Sequence, residues 1–211
     1  MAAAKPAAGG APKEQLHKLL MVGESGTGKT CLIRQYVHKV FQPTSKATIG
    51  VDFALRVIPP NNTTLQIWDI AGQERYGQMT RVYFQAAVGA MVVCDIQKPE
   101  TYEASIKWKQ DLDSKVFIPG TSKNIPCMLL LNKCDLGKSH MTSDQLDAFC
   151  AKHGFIGWLE VSAKEGTNVN AAFDKLVEAV QSSGGSGKVA PAQNTVQLKQ
   201  REEEPKKKCP C

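Results

Sequence analysis

One octapeptide of this 211-residue sequence has the composition and spacing of a polyphosphate-binding loop. Residues 23–30 read Gly-Glu-Ser-Gly-Thr-Gly-Lys-Thr, fit G-x-x-x-x-G-K-[ST], and lie between an apolar run and a helical pattern. Glycines let successive backbone N–H groups curl around phosphates, and a helix N-terminus adds positive potential. Lys29 is expected to neutralise the β- and γ-phosphates and the Thr30 hydroxyl to coordinate Mg²⁺. The expected nucleotide contacts are Ser25, Gly26, Thr27, Gly28, Lys29, Thr30 and Cys31.

The alternative for this loop is a glycine-rich turn with an exposed lysine, which the strand before it and the helix after it disfavour. A phosphate loop alone leaves kinases, ATPases and GTPases open.

A second motif selects the base. Asn132-Lys133-Cys134-Asp135 follows an apolar strand pattern, at the strand end where open α/β sheets bind ligands. The Asp135 carboxylate can accept from the ring N1–H and the exocyclic amine of guanine, whereas adenine offers a bare acceptor there. Ser162-Ala163-Lys164 ends another short strand, and the Ala163 N–H is placed to donate to the guanine carbonyl oxygen.

The elements that must position these motifs alternate along the chain. Apolar runs at 19–22, 87–95 and 127–131 suit strands buried on both faces of a parallel sheet, and helical spacing separates them. Segments 51–58 and 64–69 flank Pro59-Pro60-Asn61-Asn62 and predict a hairpin. The sequence therefore predicts an α/β fold: a six-stranded, mostly parallel sheet with one antiparallel edge strand and helices on both faces.

Composition separates one domain from two appendages. Residues 1–15 are rich in Ala, Gly and Pro, and residues 182–211 contain no aromatic residue, so both are predicted to be flexible extensions of a GTP-binding domain at 16–181. Of the net charge of +6, the extensions carry +1 and +3 respectively. The domain is nearly charge-balanced, which argues against nucleic acid as a partner.

The lengths of the apolar runs and the number of cysteines indicate in which cellular compartment the chain is expected. No apolar run approaches the ~18 residues of a membrane span, and no secretory signal is recognisable at the N-terminus. Seven cysteines, mostly isolated, favour a reducing cytosolic environment. Five of them lack metal-ligand spacing and are predicted to be small core residues: Cys31, Cys94, Cys127, Cys134 and Cys150.

These motifs, in this order, resemble those of Ras-superfamily small GTPases, specifically Rab proteins, over residues 16 to about 181. Residues 46–53 resemble the first switch and 68–76 the second. The resemblance implies GTP/GDP and Mg²⁺ as ligands, with Thr48 and Asp69 completing the metal site and the Gly72 N–H sensing the γ-phosphate. It implies that Gln73 orients the attacking water as a catalytic residue alongside Lys29. Phe41 would pack on one face of the guanine and Lys133 along its other side.

The resemblance also implies partners. Phe53, Trp68 and Tyr83 match the aromatic trio that Rabs present to effectors; ordinary core aromatics are the alternative. Intrinsic hydrolysis should be slow, on the order of 10⁻⁴ s⁻¹, because no arginine lies between Phe41 and Thr48, so an activating protein should supply that charge. An exchange factor, Rab escort protein and GDP dissociation inhibitor are the other implied partners.

Some details resemble one Rab branch. Ile70, where most Rabs carry Thr, and segments 79–83, 111–115 and 153–158 resemble the branch that serves lysosome-related organelles. The expected location is the cytoplasmic face of endosomal, post-Golgi or lysosome-related membranes, with cycling through the cytosol.

The terminal Cys209-Pro210-Cys211 resembles the Cys-x-Cys ends on which Rabs receive geranylgeranyl groups. Two lipid chains meet the requirement for stable anchoring, and Lys206, Lys207 and Lys208 would add attraction to an anionic leaflet. The alternative is a solvated basic end with spare thiols.

The sequence leaves two other functions open. A GTP-loaded scaffold with negligible turnover is disfavoured by Gln73, and an adenine-nucleotide enzyme is disfavoured by Asp135.

Overall fold

The computed structural model describes residues 15–43, 47–59, 63–74 and 80–184. Several predictions fall wholly or partly outside these residues: the N-terminal extension, the start of the first switch segment, the end of the second, and the tail with Cys209 and Cys211.

A single six-stranded sheet forms the centre of the described domain. Its strands are β1 (Gln15–Val22), β2 (Val51–Ile58), β3 (Thr63–Ile70), β4 (Gly89–Asp95), β5 (Cys127–Asn132) and β6 (Trp158–Val161). The order across the sheet is β2-β3-β1-β4-β5-β6, and only the edge strand β2 is antiparallel to its neighbour. The predicted fold class is confirmed, including the antiparallel edge strand.

Helices occupy both faces of the sheet. They are α1 (Lys29–His38), α2 (Thr80–Phe84), α3 (Pro99–Lys115), α4 (Ser143–His153) and α5 (Val169–Ser182), with a 3₁₀ turn at Cys134–Leu136. The helix ends follow from local chemistry: α3 begins with a proline at its first position, and Thr142 and Gln145 form a capping box at the start of α4. None of the helices in the described ranges is long and apolar enough to cross a membrane.

Two apolar clusters hold the helices to the sheet. One cluster contains Trp108 and Leu112 of α3 and residues of β4 and β5, and the other contains Tyr36 of α1 and Phe173 of α5. The rings of Tyr36 and Phe173 stack with their centroids 3.7 Å apart. The fully buried β4 and β5 explain the apolar runs in the sequence, because each face of these strands is covered.

The cysteine prediction is right for three residues and wrong for two. Cys94, Cys127 and Cys150 are buried, and burial raises the pKa of their thiols to about 12, 12 and 11. Cys31 and Cys134 are only half-buried, because each lies in a loop or helix start at the carboxyl edge of the sheet. That edge is where the candidate site lies.

Candidate functional site

The loop between β1 and α1 holds a buried lysine. Gly28 precedes α1 with φ of 95°, a backbone conformation that favours glycine, and a Cβ there would overlap the Asn132 side chain. Lys29 follows as the first helical residue and is 6% exposed. Its Nζ donates to the carbonyl oxygens of Gly23 at 2.8 Å and Glu24 at 3.1 Å. The loop therefore wraps around its own ammonium group.

Burial lowers the pKa of Lys29 to about 8, and the negative charges of Asp69 and Glu24 act in the opposite direction. A polyanion beside Nζ would favour the charged form again, since a nearby opposite charge offsets desolvation. The site is thus arranged for a ligand that brings negative charge.

Three side-chain oxygens meet beside this lysine. Thr30 Oγ1 donates to Asp69 Oδ2 at 2.5 Å, Thr48 Oγ1 donates to the same oxygen at 3.3 Å, and the two hydroxyl oxygens are 2.9 Å apart. Asp69 is buried, and its Oδ1 has no hydrogen-bond partner among the described residues. Burial raises the pKa of Asp69 despite the hydrogen bond from Thr30.

This oxygen cluster fits the implied Mg²⁺. The ion is hard, prefers oxygen ligands, and is usually held by one or two protein carboxylates together with phosphate oxygens and water. Thr30, Thr48 and Asp69 would hold it, and the unpartnered Oδ1 of a buried carboxylate is the kind of atom that a cation or its water would satisfy.

Asn132 joins the phosphate loop to the base motif. Its Nδ2 donates to the Thr27 carbonyl at 2.7 Å, and its Oδ1 accepts from the Ala163 N–H at 3.2 Å. Thr27 and Asn132 are both buried, so Thr27 contributes its backbone and not its side chain to the site. A guanine carbonyl oxygen bound by Ala163 would share that donor with Asn132.

Ser162 holds the carboxylate of Asp135. The Ser162 hydroxyl donates to Asp135 Oδ1 at 2.6 Å, and the Lys164 ammonium is 3.9 Å from Oδ2. Ser162 is fully buried and does not line the cavity, so its hydroxyl orients Asp135. Asp135 faces the cavity with lone pairs that remain for a ligand.

The second switch packs against the phosphate loop at Gly72. A Cβ on Gly72 would overlap the backbone of Ser25 and Glu24, so only glycine permits this approach. Gly72 is buried, whereas the neighbouring Gln73 is exposed and lines the cavity. Gln73 therefore stands at the mouth of the cavity, on the side of the phosphate loop.

One open cavity of about 730 Å³ collects nearly all of these residues. The predicted residues that line it are Ser25, Gly26, Gly28, Lys29, Thr30, Cys31, Phe41, Thr48, Gly72, Gln73, Asn132, Lys133, Asp135, Ala163 and Lys164. Thr27, Asp69 and Ser162 lie behind this wall. Five separate stretches of sequence thus converge on one site, which is large enough for a nucleotide.

The three predicted effector-facing aromatics lie near the edge of the sheet. Phe53 of β2 is 61% exposed, and its ring centroid is 6.3 Å from that of Trp68 on β3. Trp68 and Tyr83 are half-buried against the first apolar cluster. The ammonium of Lys18 lies 3.5 Å from the centroid of the Trp68 ring. Phe53 is thus the most accessible of the three.

Sequence reasoning missed several residues of the site. The further residues that line the cavity are Pro43, Ala47, Ile49, Gly50 and Leu136. Three of them lie within the first switch segment without a predicted role, and Pro43 and Leu136 have no signal except that they lie near a motif. Asp95 was missed because it belongs to no motif, although it ends β4 directly beside the end of β5. Its carboxylate pairs with Lys133 at 2.6 Å.

The chain is similar in sequence to known proteins over most of its length. The Ras family matches residues 18–182. Ras-related protein Rab-32 of Homo sapiens is 54% identical over 172 residues, covering 80% of this chain and 76% of the relative. Rab-32A of Dictyostelium discoideum is 52% identical, covering 78% of each chain, and human Rab-7L1 is 43% identical, covering 79% of this chain and 83% of the relative.

Proposed function

The chain belongs to the Ras family of small GTPases, within which it is a Rab protein, and we propose that the cavity at the carboxyl edge of its sheet is its guanine-nucleotide site. As a Rab it binds GTP or GDP with Mg²⁺, hydrolyses GTP and acts as a switch in membrane trafficking. The observation that carries the assignment of residues is the convergence of five motif segments on one cavity of about 730 Å³.

Base selection falls to Asp135. Its two carboxylate oxygens accept from the N1–H and the exocyclic amine of guanine, while Ser162 keeps the carboxylate in place. Adenine would leave this carboxylate, whose side chain is 6% exposed, facing a lone pair, a mismatch that binding sites reject strongly. Phe41 and the aliphatic part of Lys133 form the two walls of the base subsite.

Hydrolysis needs positioning and charge more than covalent help from the protein. Lys29 holds the β- and γ-phosphates, and the backbone N–H groups of the 23–30 loop surround them. Bound Mg²⁺ supplies positive charge that offsets the charge developing on the transferred phosphoryl group. Gln73, which stands exposed at the mouth of the cavity, orients the attacking water.

Switching follows from contacts that exist only with a γ-phosphate. Thr48 and the Gly72 N–H contact that group in the GTP state and lose it in the GDP state, which releases both segments. Because no arginine of the chain lies in the segment from Phe41 to Thr48, an activating protein supplies the missing charge. An exchange factor and a GDP dissociation inhibitor act on the other half of the cycle, as they do for Rabs in general.

The effector surface is centred on Phe53, Trp68 and Tyr83. Exposed aromatic groups mark partner surfaces. Phe53 ends the first switch segment, Trp68 begins the second, and Tyr83 follows the second segment in α2. Membrane attachment uses geranylgeranyl groups on Cys209 and Cys211, delivered with the help of a Rab escort protein. The similarity to Rab-32 and the branch-like residues support endosomal, post-Golgi or lysosome-related membranes as the location.

Single-turnover hydrolysis tests the assignment of the site. The GTP-loaded protein should release phosphate slowly, and Gln73→Leu should lower that rate by about tenfold or more, because a water-positioning group is lost. Thr30→Asn should shift the bound nucleotide towards GDP or the empty form. Bound nucleotide is quantified by chromatography after denaturation, and ATP competition against labelled GDP is the control for base selection. Unchanged nucleotide ratios in both variants would contradict the assignment.

A further inference from the structure

Asp95 is a buried carboxylate for which the nucleotide motifs give no role. Its side chain is 3% exposed, at the end of β4, and its Oδ2 accepts from Lys133 Nζ at 2.6 Å. Its Oδ1 accepts from the Gln97 N–H at 3.1 Å. No other lysine or arginine in the described ranges pairs with Asp95, so Lys133 provides the compensating charge.

The fold places this carboxylate by several independent contacts. Asp95 is the register partner of Asn132, and the Ile96 N–H donates to the Asn132 carbonyl at 2.9 Å. The Thr101 hydroxyl lies within 3.2 Å of both the N–H and the carbonyl oxygen of Asp95. These contacts fix the backbone of Asp95 without its carboxylate. The carboxylate is therefore not needed to hold the strand end and can hold Lys133.

Lys133 needs such an anchor. It has φ of 70°, a left-handed conformation that is unfavourable for residues other than glycine, and its side chain is one-third exposed at the cavity wall. A lysine side chain that becomes ordered only when a ligand binds loses rotamer entropy on binding, and this loss weakens the affinity. Holding Nζ on a rigid strand end removes much of that cost beforehand.

We propose that Asp95 is a positioning residue for nucleotide retention: its carboxylate holds Lys133 so that the aliphatic chain forms a wall of the base subsite before the nucleotide arrives. The inference rests on the proposed function, because it takes Lys133 as the residue that lies along the guanine. It extends that function by assigning the positioning of this wall to Asp95 of the neighbouring strand β4, which does not line the cavity.

A double-mutant cycle on the dissociation of a fluorescent GDP analogue tests the proposal. The full chain, Asp95→Asn, Lys133→Met and the double variant are loaded, and release is followed in excess unlabelled GDP at fixed Mg²⁺. Asp95→Asn should accelerate release by about tenfold or more in the parent chain, as expected when a hydrogen bond between charged groups is lost. In the Lys133→Met background the same change should alter release by less than about twofold, because the coupling is already gone.

Asp113→Asn is the matched control. It removes the partly exposed carboxylate that pairs with Lys109. The Lys109 side chain is 4% exposed, so this pair also has one buried member, but neither residue lines the cavity. It should lower the melting temperature of the GDP-loaded protein and leave the release rate unchanged. Asp95→Glu, which keeps the charge on a longer side chain, should restore part of the slow release and is the second variant if Asp95→Asn does not fold.

The outcomes distinguish a failure of the positioning role from a failure of the proposed function. If Lys133→Met accelerates release and neither Asp95 variant does, or if Asp95→Asn acts equally in both backgrounds, the positioning role is wrong and the proposed function stands. If Lys133→Met leaves release unchanged in a protein that binds GDP, the role of Lys133 in the base subsite is wrong, and the role of Asp95 with it.

Discussion

At the scale of single residues, Asn132 illustrates how one side chain serves two motifs. Its amide satisfies the Thr27 carbonyl in the phosphate loop and the Ala163 N–H in the base loop. Replacing it by an apolar residue would leave two buried backbone groups unsatisfied, each at a cost of about 1–3 kcal/mol. The base subsite and the phosphate subsite are therefore held in register by an amide and not by the nucleotide alone.

Asp135→Asn should change which base the protein retains. The Asn side chain would offer one acceptor and one donor where guanine requires two acceptors, so GDP affinity should fall by about 100-fold or more, the effect of an unpaired buried polar group. Xanthosine diphosphate, which carries a carbonyl where guanine has an amine, should bind the variant better than GDP does. Equilibrium titration with both diphosphates measures this.

The control for that experiment is Asp111→Asn, the same substitution on α3. The Asp111 carboxylate pairs with Lys115 at 2.5 Å and does not line the cavity, so its removal should change GDP affinity only slightly. Retention of GDP preference by Asp135→Asn would contradict the base assignment.

At the scale of elements, the central strand β1 both leads into the phosphate loop and carries two buried polar side chains. Its carboxyl end leads into the phosphate loop, while its first half carries the polar residues His17 and Lys18 on opposite faces. Burial lowers the pKa of Lys18 to about 8, and its ammonium rests on the Trp68 ring. His17 is 1% exposed, and neither ring nitrogen has a hydrogen-bond partner among the described residues.

His17 should make the domain sensitive to mild acid. Burial lowers its pKa below the ordinary 6.5, so below pH 6.5 the unfolded chain takes up a proton that the folded chain resists. The free energy of unfolding should then fall by up to about 1.4 kcal/mol between pH 7.5 and 5.5, the value of one proton over one pH unit. Urea denaturation of the GDP-loaded protein at the two pH values measures the loss.

His17→Leu should remove most of this pH dependence, because leucine does not titrate. It should also fit the site, since Leu19 and Met21 on the same face of β1 belong to the apolar cluster that contains Tyr36 and Phe173. His153→Gln is the matched control: burial and Lys152 lower the pKa of His153, but that residue lies at the end of α4 and is far less enclosed. An unchanged pH dependence in His17→Leu would show that the acid sensitivity lies elsewhere.

At the scale of the whole molecule, local signals predicted the architecture and most of the cavity. Apolar runs marked β4 and β5 because those strands are buried on both faces, and motif spacing marked the loops at their ends. The ends of the strands were harder to predict from the sequence. The strand β1 begins at Gln15, before its apolar run, because its pairing with β3 extends that far. Asp95 and the environment of His17 depend on register between distant strands, which no short window of sequence contains.

The attachment of the whole molecule to membranes is expected to depend on both terminal cysteines. One lipid chain gives only marginal and reversible binding, whereas two give a stable anchor. Changing both Cys209 and Cys211 to Ser should therefore move the protein from the membrane pellet to the supernatant of a cell lysate, while each single change should give intermediate binding.

GDP binding should be unchanged in all three variants, because the nucleotide contacts proposed here all lie between Ser25 and Lys164. Charge supplies a second contribution: replacing Lys206, Lys207 and Lys208 by Gln should weaken the attachment of the single-cysteine variants most, since each lysine adds about 1 kcal/mol near an anionic leaflet. Pelleting of the double Ser variant at the level of the parent chain would require an anchor other than lipid on these thiols. Full release of the double Ser variant into the supernatant would show that lipid on these two thiols provides the attachment.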